Sequence, residues 1–283
     1  MTGTLLSFGH GYSARALSRL LAPRGWRIIG TTRNPEQLPR IEGAGAEPLL
    51  WPGETPSFDA VTHLLISTAP DAQGDPVLAA LGDEIAARAG QFEWVGYLST
   101  TAVYGDHQGG WVDEATPPAP TAKRGQWRVM AERQWAAIEG LPLHIFRLAG
   151  IYGPGRGPFA KLRKGGMRRI IKPGQVFSRI HVDDIAQVLA ASMARPNPGA
   201  VYNVCDDEPV PPQDVIGYAA ELQGLPLPPA VPFEEAEMTP MARSFYNENK
   251  RVRNDRIKEE LGVKLLYPNY RVGLEALHAL EQE

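Results

Sequence analysis

The sequence predicts an α/β protein: a Rossmann-type doubly wound parallel sheet with a smaller C-terminal substrate lobe. Three observations predict it. Short apolar runs alternate with helical periods through the first half of the chain, the pattern of parallel β-α-β units. A G-x-G-x-x-A string, built from Gly9, Gly11 and Ala14, stands between the first apolar run and the first helical period. The 283 residues suffice for a large core, and contents of 43% hydrophobic and 22% charged residues are those of an ordinary globular chain.

The elements follow in order. Thr4–Phe8 reads as a buried strand, and Arg15–Leu21 as part of the helix that follows the glycine turn. Gly9 suits the tight turn out of the strand, Gly11 lets backbone approach a pyrophosphate, and Ala14 lets the helix pack on the sheet. The helix N-terminus adds N–H donors and a positive dipole end. Arg27–Thr31, the weaker Ala46–Trp51, His63–Ser67, Trp94–Ser99 and Leu143–Arg147 read as the next strands. Pro76–Ala89 and Gly125–Glu139 carry helical periods. Val201–Cys205 is a further strand-like run, and Gln213–Gln223 a helix inside a Pro-rich stretch that is read as lobe structure, not linker.

Composition excludes several classes. A net charge of -3 leaves no footprint for nucleic acid or an anionic membrane surface. No apolar run reaches the length of a membrane span, and the N-terminus has no signal-peptide pattern, so a cytoplasmic protein is expected. The single Cys205 forms no internal disulfide and reads as a packed thiol. His and Cys do not cluster, so no metal site is expected.

Five strings, in order along nearly the whole chain, resemble the extended short-chain dehydrogenase/reductases of the NAD-dependent epimerase/dehydratase family. They are Tyr97–Asp106, Arg147–Arg156, Arg179–Ala186 with its H-V-D-D core, Tyr202–Val204, and Arg251–Lys258 continued through Tyr267–Pro268. The Gly spacing departs from the G-x-x-G-x-x-G of extended members and points to the atypical branch. The resemblance implies a dinucleotide-binding domain of residues 1–152 plus about 182–204. A substrate lobe of about 153–181 and 205–283 would cover the C-terminal ends of the strands.

The expected cofactor-binding residues are Gly9, His10, Gly11 and Tyr12 of the turn, Ser67, Thr68 and Ala69 beyond the fourth strand, Arg33 and Arg128. At the end of the second strand, where an acid reads a free ribose 2′-OH, the chain has Gly30-Thr31-Thr32-Arg33. Arg33 suits a 2′-phosphate, so NADP(H) is expected in preference to NAD(H). The alternative is a solvated loop arginine. Arg15 is a further cation beside this place, or an exposed helix residue.

The resemblance also implies a catalytic Ser/Thr, Tyr and Lys. Thr100 matches the first, although a strand-end Thr also satisfies loop backbone. The Y-G-x-x-K-x-x-x-E pattern falls on Arg124-Gly125-Gln126-Trp127-Arg128-Val129-Met130-Ala131-Glu132. Arg124 thus stands for the Tyr and Arg128 for the Lys, and Arg124 cannot exchange a proton as a Tyr does. Arg128 is expected to pair with Glu132, four residues on. Tyr97, Tyr104 and Tyr152 are alternative proton donors or packing residues. Tyr246–Lys250, a literal Y-x-x-x-K, lies in the wrong part of the chain. Thr101 and Ala102 replace the acidic pair of the dehydratase branch.

Arg156, Arg179 and His181 are the expected substrate-binding residues, within a lobe rich in cations. The partner is then an anionic small molecule, a carbonyl compound or sugar nucleotide, unless the cations are a solvated face. Trp127, Ala131 and Trp135 form a helix stripe expected to carry a homodimer, unless it faces its own core. Two functions fit: an NADP(H)-dependent oxidoreductase or epimerase-like enzyme with a non-standard proton donor, or a non-catalytic NADP-binding regulatory or sensor protein.

Overall fold

Thr4–Phe8 (β1) is an interior strand of a seven-stranded, all-parallel sheet. The computed structural model describes residues 2–282. The other strands of this sheet are β2 (Arg27–Thr32), β3 (Glu47–Leu50), β4 (His63–Ile66), β5 (Trp94–Thr100), β7 (Leu143–Leu148) and β11 (Val201–Val204). Three short parallel pairs complete the strands: β6 (Trp111–Val112) with β13 (Arg251–Val252), β8 (Gly150–Tyr152) with β10 (Arg179–His181), and β9 (Arg169–Ile171) with β12 (Ala230–Pro232). The helices are α1 (Tyr12–Leu21), α2 (Leu38–Glu42), α3 (Pro76–Ala87), α4 (Lys123–Ala136), α5 (Phe159–Arg163), α6 (Val182–Ala194), α7 (Pro212–Leu222), α8 (Pro240–Ser244), α9 (Asp255–Glu259) and α10 (Tyr270–Leu280).

The sheet order is β3-β2-β1-β4-β5-β7-β11. β1 pairs with both β2 and β4, so the direction of winding reverses beside it, and a crevice opens at the C-terminal ends of β1 and β4. Each face of the sheet has its own core because side chains alternate along buried strands. Leu5, Leu65, Trp94 and Phe146 pack under α1 and α6 with Leu17, Ile185 and Leu189. Leu6, Leu64, Val95 and Ile145 pack on the other face with Val77 and Ile85 of α3 and Ala131 and Trp135 of α4. A third, smaller core under the C-terminal elements joins Tyr152, Phe159, Leu162, Ala219, Tyr270 and Leu274.

The chain is therefore α/β, with a doubly wound parallel sheet and smaller C-terminal elements. The strands read from the sequence lie within a residue or two of their expected bounds. The helix expected from Gly125 begins at Lys123 and ends at Ala136, before the left-handed Gly140 (φ 72°) turns the chain into β7. No helix of the described residues is long and apolar enough to cross a membrane.

Two of the three residues of the stripe expected to carry a homodimer lie inside the protomer, while Trp127 is half-buried. Ala131 and Trp135 are fully buried, and the Trp135 ring lies 6.4 Å from that of Tyr97. Four-residue spacing marks one face of a helix, but only the sheet beneath decides whether that face is internal.

Candidate functional site

At the end of β1 the chain turns sharply through Gly9, whose φ is +70°. A Cβ there would lie 3.0 Å from the Thr68 backbone nitrogen, so the loop beyond β4 can pass this close only to a glycine. Two hydrogen bonds fix the turn: the Gly9 N–H donates to Thr31 Oγ1 (3.1 Å), and the Ser67 hydroxyl donates to Gly9 O (2.7 Å). Gly11 is the N-cap of α1, with no side chain capping the helix and no acid in its first turn. A Cβ on Gly11 would meet only Gly9 O, at 3.6 Å. The helix start is thus open, backbone-lined and positive, as a pyrophosphate requires. Thr68 Oγ1 nearby is buried without a partner.

His10 does not face this opening. Its N–H donates to Thr31 O (2.8 Å), and its ring is buried with Nε2 3.0 Å from Ser18 Oγ. A Cβ on Gly30 would lie 2.6 Å from His10 Cγ, so the imidazole fills the space that Gly30 leaves beneath β2. Burial, reinforced by the Arg15 charge, lowers its pKa to about 4. His10 therefore supports the turn from below.

Arg33 follows β2 directly and is exposed. Arg15, Arg19 and Arg40 lie near one another on α1 and α2. Burial lowers the Arg15 pKa, and Arg40 and Arg19 lower it further by repulsion. None of the four makes an ion pair among the described residues, so the charge of Arg15, Arg19 and Arg40 is uncompensated by acidic side chains. Arg40 is absent from the motif-based set because no motif marks it; folding brings α2 beside α1.

Thr100 ends β5, and its Oγ1 accepts the Ala102 N–H (3.2 Å), the capping arrangement of a strand-end Thr. Arg124, in the first turn of α4, is exposed and has no hydrogen-bond or ionic partner among the described residues. Arg128 is half-buried: its Nη1 donates to Leu98 O (2.6 Å) and to Tyr97 Oη (3.1 Å), and its guanidinium stands 5.6 Å from the Tyr97 ring centre. The expected Arg128–Glu132 pair does not form. Glu132 turns inward to a bidentate pair with Arg147 (2.8 and 3.2 Å) and accepts the Ser99 hydroxyl (2.5 Å). Both charged groups are 5% exposed. Arg147 Nη1 also donates to Tyr104 Oη (3.1 Å), and the Tyr104 hydroxyl donates to Asn203 Oδ1 (2.7 Å). Glu132 prefers a partner at hydrogen-bonding distance on β7 to one a helical turn away, because a buried carboxylate needs every bond it can make. Tyr97 and Tyr104 are thereby buried, and burial raises the pKa of both.

On the lobe side, Tyr12 ties the turn to the segment after β8. Its hydroxyl donates to Pro154 O (3.0 Å), and the Arg156 guanidinium lies 5.7 Å from its ring centre. Arg156 is otherwise exposed. Gly153 makes the approach close: a Cβ there would lie 2.5 Å from Tyr12 Oη and 3.4 Å from His181 Nε2. His181 is 1% exposed; its Nδ1 accepts the Asp183 N–H (3.2 Å), which leaves Nε2 to carry the proton of the neutral ring. Arg179, partly accessible, donates from Nη1 to Phe177 O (2.9 Å) and Val210 O (3.3 Å). Cys205 is packed, its thiol 3.2 Å from Val252 O.

No model of a known protein family matches the chain. A solved protein from Silicibacter pomeroyi, described as functionally unknown and conserved, is 83% identical over 98% of each chain, with a TM-score of 0.97. The chain belongs to one family with that protein. Protein YeeZ of Escherichia coli K12 is 28% identical across 92% of this chain and 95% of its own. UDP-glucuronic acid 4-epimerase of Bacillus cereus, solved with NAD, shares the fold at 15% identity over 99% of each chain, with a TM-score of 0.76. A human epimerase family protein, SDR39U1, solved with NADPH, does so at 17% identity over 98% of this chain and 99% of its own, with a TM-score of 0.75. The chain thus shares its Rossmann-type fold with these NAD- and NADPH-bound proteins.

Proposed function

We propose that the chain binds a nicotinamide dinucleotide across the ends of β1 and β4, NADP(H) in preference to NAD(H), and acts as an oxidoreductase or epimerase-like enzyme with a non-standard proton donor. The observation that carries this is the turn itself: a left-handed Gly9 against Thr68, an open Gly11, and an α1 start with neither cap nor acid. These residues fit a pyrophosphate. Arg33 fits a 2′-phosphate, Arg15 and Arg40 would add positive charge, and no acid stands at the end of β2 to read a free 2′-OH. Most of the similar structures solved with a dinucleotide hold NAD and one holds NADPH, so the choice of NADP(H) rests on this chain's own cations.

A bound nicotinamide would supply a hydride donor or acceptor. The chain's groups would orient the substrate and place charge. Thr100 keeps a hydroxyl proton to donate to a substrate oxygen while its Oγ1 accepts from Ala102. Arg124 would bind an anionic group or steady a developing oxyanion, without exchanging a proton. Arg156 would meet the anionic part of a carbonyl compound or sugar nucleotide near the turn. One observation favours the second reading, a non-catalytic sensor of NADP: Arg128 has Nη1 tied to Leu98 O and Tyr97, and no proton-exchanging group stands at the Tyr position.

Fluorescence titration is expected to show NADPH binding ten- to hundredfold more tightly than NADH, since a charge-assisted contact contributes ~1.5–3 kcal/mol. Arg33→Asp is expected to remove or reverse the preference, and Arg40→Ala to reduce it. Equal affinities in the parent protein would overturn the assignment of Arg33. A screen of carbonyl substrates that follows NADPH oxidation separates enzyme from sensor.

A further inference from the structure

Tyr246–Lys250 stands far from β5 in sequence, yet folding brings one end of it to the loop that leaves that strand. Tyr246 turns away: its ring lies 5.4 Å from that of Phe177 and 5.2 Å from that of Phe233, and its carbonyl accepts from Lys172 Nζ. Lys250 goes the other way. Its Nζ donates to Gly105 O (2.7 Å) and to Glu248 Oε2 (2.8 Å), and Glu248 Oε1 accepts the Thr121 hydroxyl (2.7 Å). Each side chain of the ion pair is 11% exposed. Asn249 between them is held as well: its N–H donates to Asp106 Oδ1 (2.7 Å), and its carbonyl accepts the N–H groups of His107 (3.0 Å) and Gly109 (2.9 Å).

These bonds fall on the two segments that carry Thr100 and Arg124. Gly105 closes the single turn, Thr101–Tyr104, that follows β5. Its N–H donates to Ala102 O (3.4 Å), and the Ala102 N–H donates to Thr100 Oγ1 (3.2 Å). Lys250 is thus joined to the Thr100 hydroxyl by consecutive hydrogen bonds through Gly105 and Ala102. Gly105 has a φ of +73°, and a Cβ there would collide with Ala119 O, so the turn is held to one path. Thr121 directly precedes Ala122, the N-cap of α4, and Gly125 packs the start of that helix against Ala102 O. Drawing two charges largely out of water costs hydration, and an apolar contact would brace a loop as well. What charge-assisted bonds add is direction.

We propose that Lys250 and Glu248 are a positioning pair for the candidate site. Lys250 fixes the turn that sets the Thr100 hydroxyl, and Glu248 fixes the approach to α4 that sets Arg124. The inference rests on the reading of Thr100 and Arg124 as site residues. Both members of the pair act through Gly105 and Thr121, not by contact with a substrate. The C-terminal elements thereby set part of the geometry at the end of β5.

The test uses the full chain and a double-mutant cycle read by amide hydrogen exchange. Lys250→Met and Thr100→Val are each expected to speed exchange of the Ala102 N–H about tenfold. If Lys250 acts on Ala102 through the turn that Thr100 caps, the double variant exchanges no faster than the faster single one. Independent contacts would multiply instead, to about a hundredfold. Lys250→Arg keeps the charge and the donors and is expected to stay within about threefold of the parent. Glu248→Gln keeps the shape of the side chain but not its charge; it is expected to give the Lys250→Met pattern more weakly, and it stands in if Lys250→Met does not fold. NADPH is titrated separately. Its affinity is expected to change less than about threefold in Lys250→Met, because the Gly9–Gly11 turn is untouched, while the emission of the bound nicotinamide shifts and returns in Lys250→Arg. Failure of the parent to bind NADPH sinks the cofactor reading and leaves the exchange cycle, which needs no ligand, to decide on the pair. A multiplicative cycle, exchange at Ala102 that ignores Lys250 and Glu248, no rescue by Arg, or an unchanged emission of bound NADPH overturns the proposal.

Discussion

His10 shows how one residue inside a ligand-binding motif can serve the motif from below. Its ring sits on Gly30, its N–H holds Thr31 O, and its pKa is lowered to about 4, first by burial and then by Arg15. In the unfolded chain the same group takes its proton near the ordinary value of 6.5. Between these pH values the unfolded state binds more protons, so the stability that neutral His10 contributes is present above pH 6.5 and is lost as pH falls toward 4. His10→Gln removes this dependence. Urea unfolding at several pH values is expected to show the parent more stable at pH 7, with the gap narrowing on acidification by up to ~1.4 kcal/mol per pH unit. A gap constant from pH 7 to 4.5 would mean that His10 titrates alike in both states.

α4 shows how one helix divides its polar side chains between the sheet and solvent. Gly125 is buried and packs close against Ala102 O, 2.8 Å from where its Cβ would stand, and Glu132 faces the sheet. Arg128 turns to β5 and Arg124 to solvent. The inward side of the helix anchors a network from Ser99 through Glu132, Arg147 and Tyr104 to Asn203, crossing β5, β7 and β11. Such a pair is hard to break, because either charge alone would be buried without compensation. Glu132→Gln is therefore expected to destabilise the protein by ~3–5 kcal/mol, and a double variant, Glu132→Met with Arg147→Met, by less than that. Denaturant midpoints decide it; a double variant worse than the single one would mean that the network's other hydrogen bonds, not the charge pair, hold the element.

At the scale of the whole molecule, the turn that fits a pyrophosphate also touches the C-terminal elements. Tyr12 reaches from α1 to Pro154 O, Arg156 covers its ring, and Gly153 admits both Tyr12 and His181. A ligand at the start of α1 is thus expected to order the segment 153–163 as well as its own contacts. Hydrogen exchange should slow across that segment when NADPH is added, and Tyr12→Phe should reduce the slowing there while leaving that of the β1–α1 turn. Equal protection of segment 153–163 in parent and variant would show that Tyr12 does not couple the two.

Much of the fold was legible because its signals are local. Strand and helix periods, the Gly9–Gly11–Ala14 spacing and the single Cys205 depend on residues a few places apart, and so does the α/β class that follows from their alternation. Arg33 was legible for the same reason: it stands next to the strand that presents it. Arg124 and Arg128, four residues apart, also show in the string itself. Only the folded chain decided that Ala131 and Trp135 turn inward, that Glu132 leaves Arg128 for Arg147, and that Arg40 joins Arg15. These are contacts between residues far apart in sequence, and their outcome is set by competition for partners in a low-dielectric interior, where a side chain takes the bond it can reach.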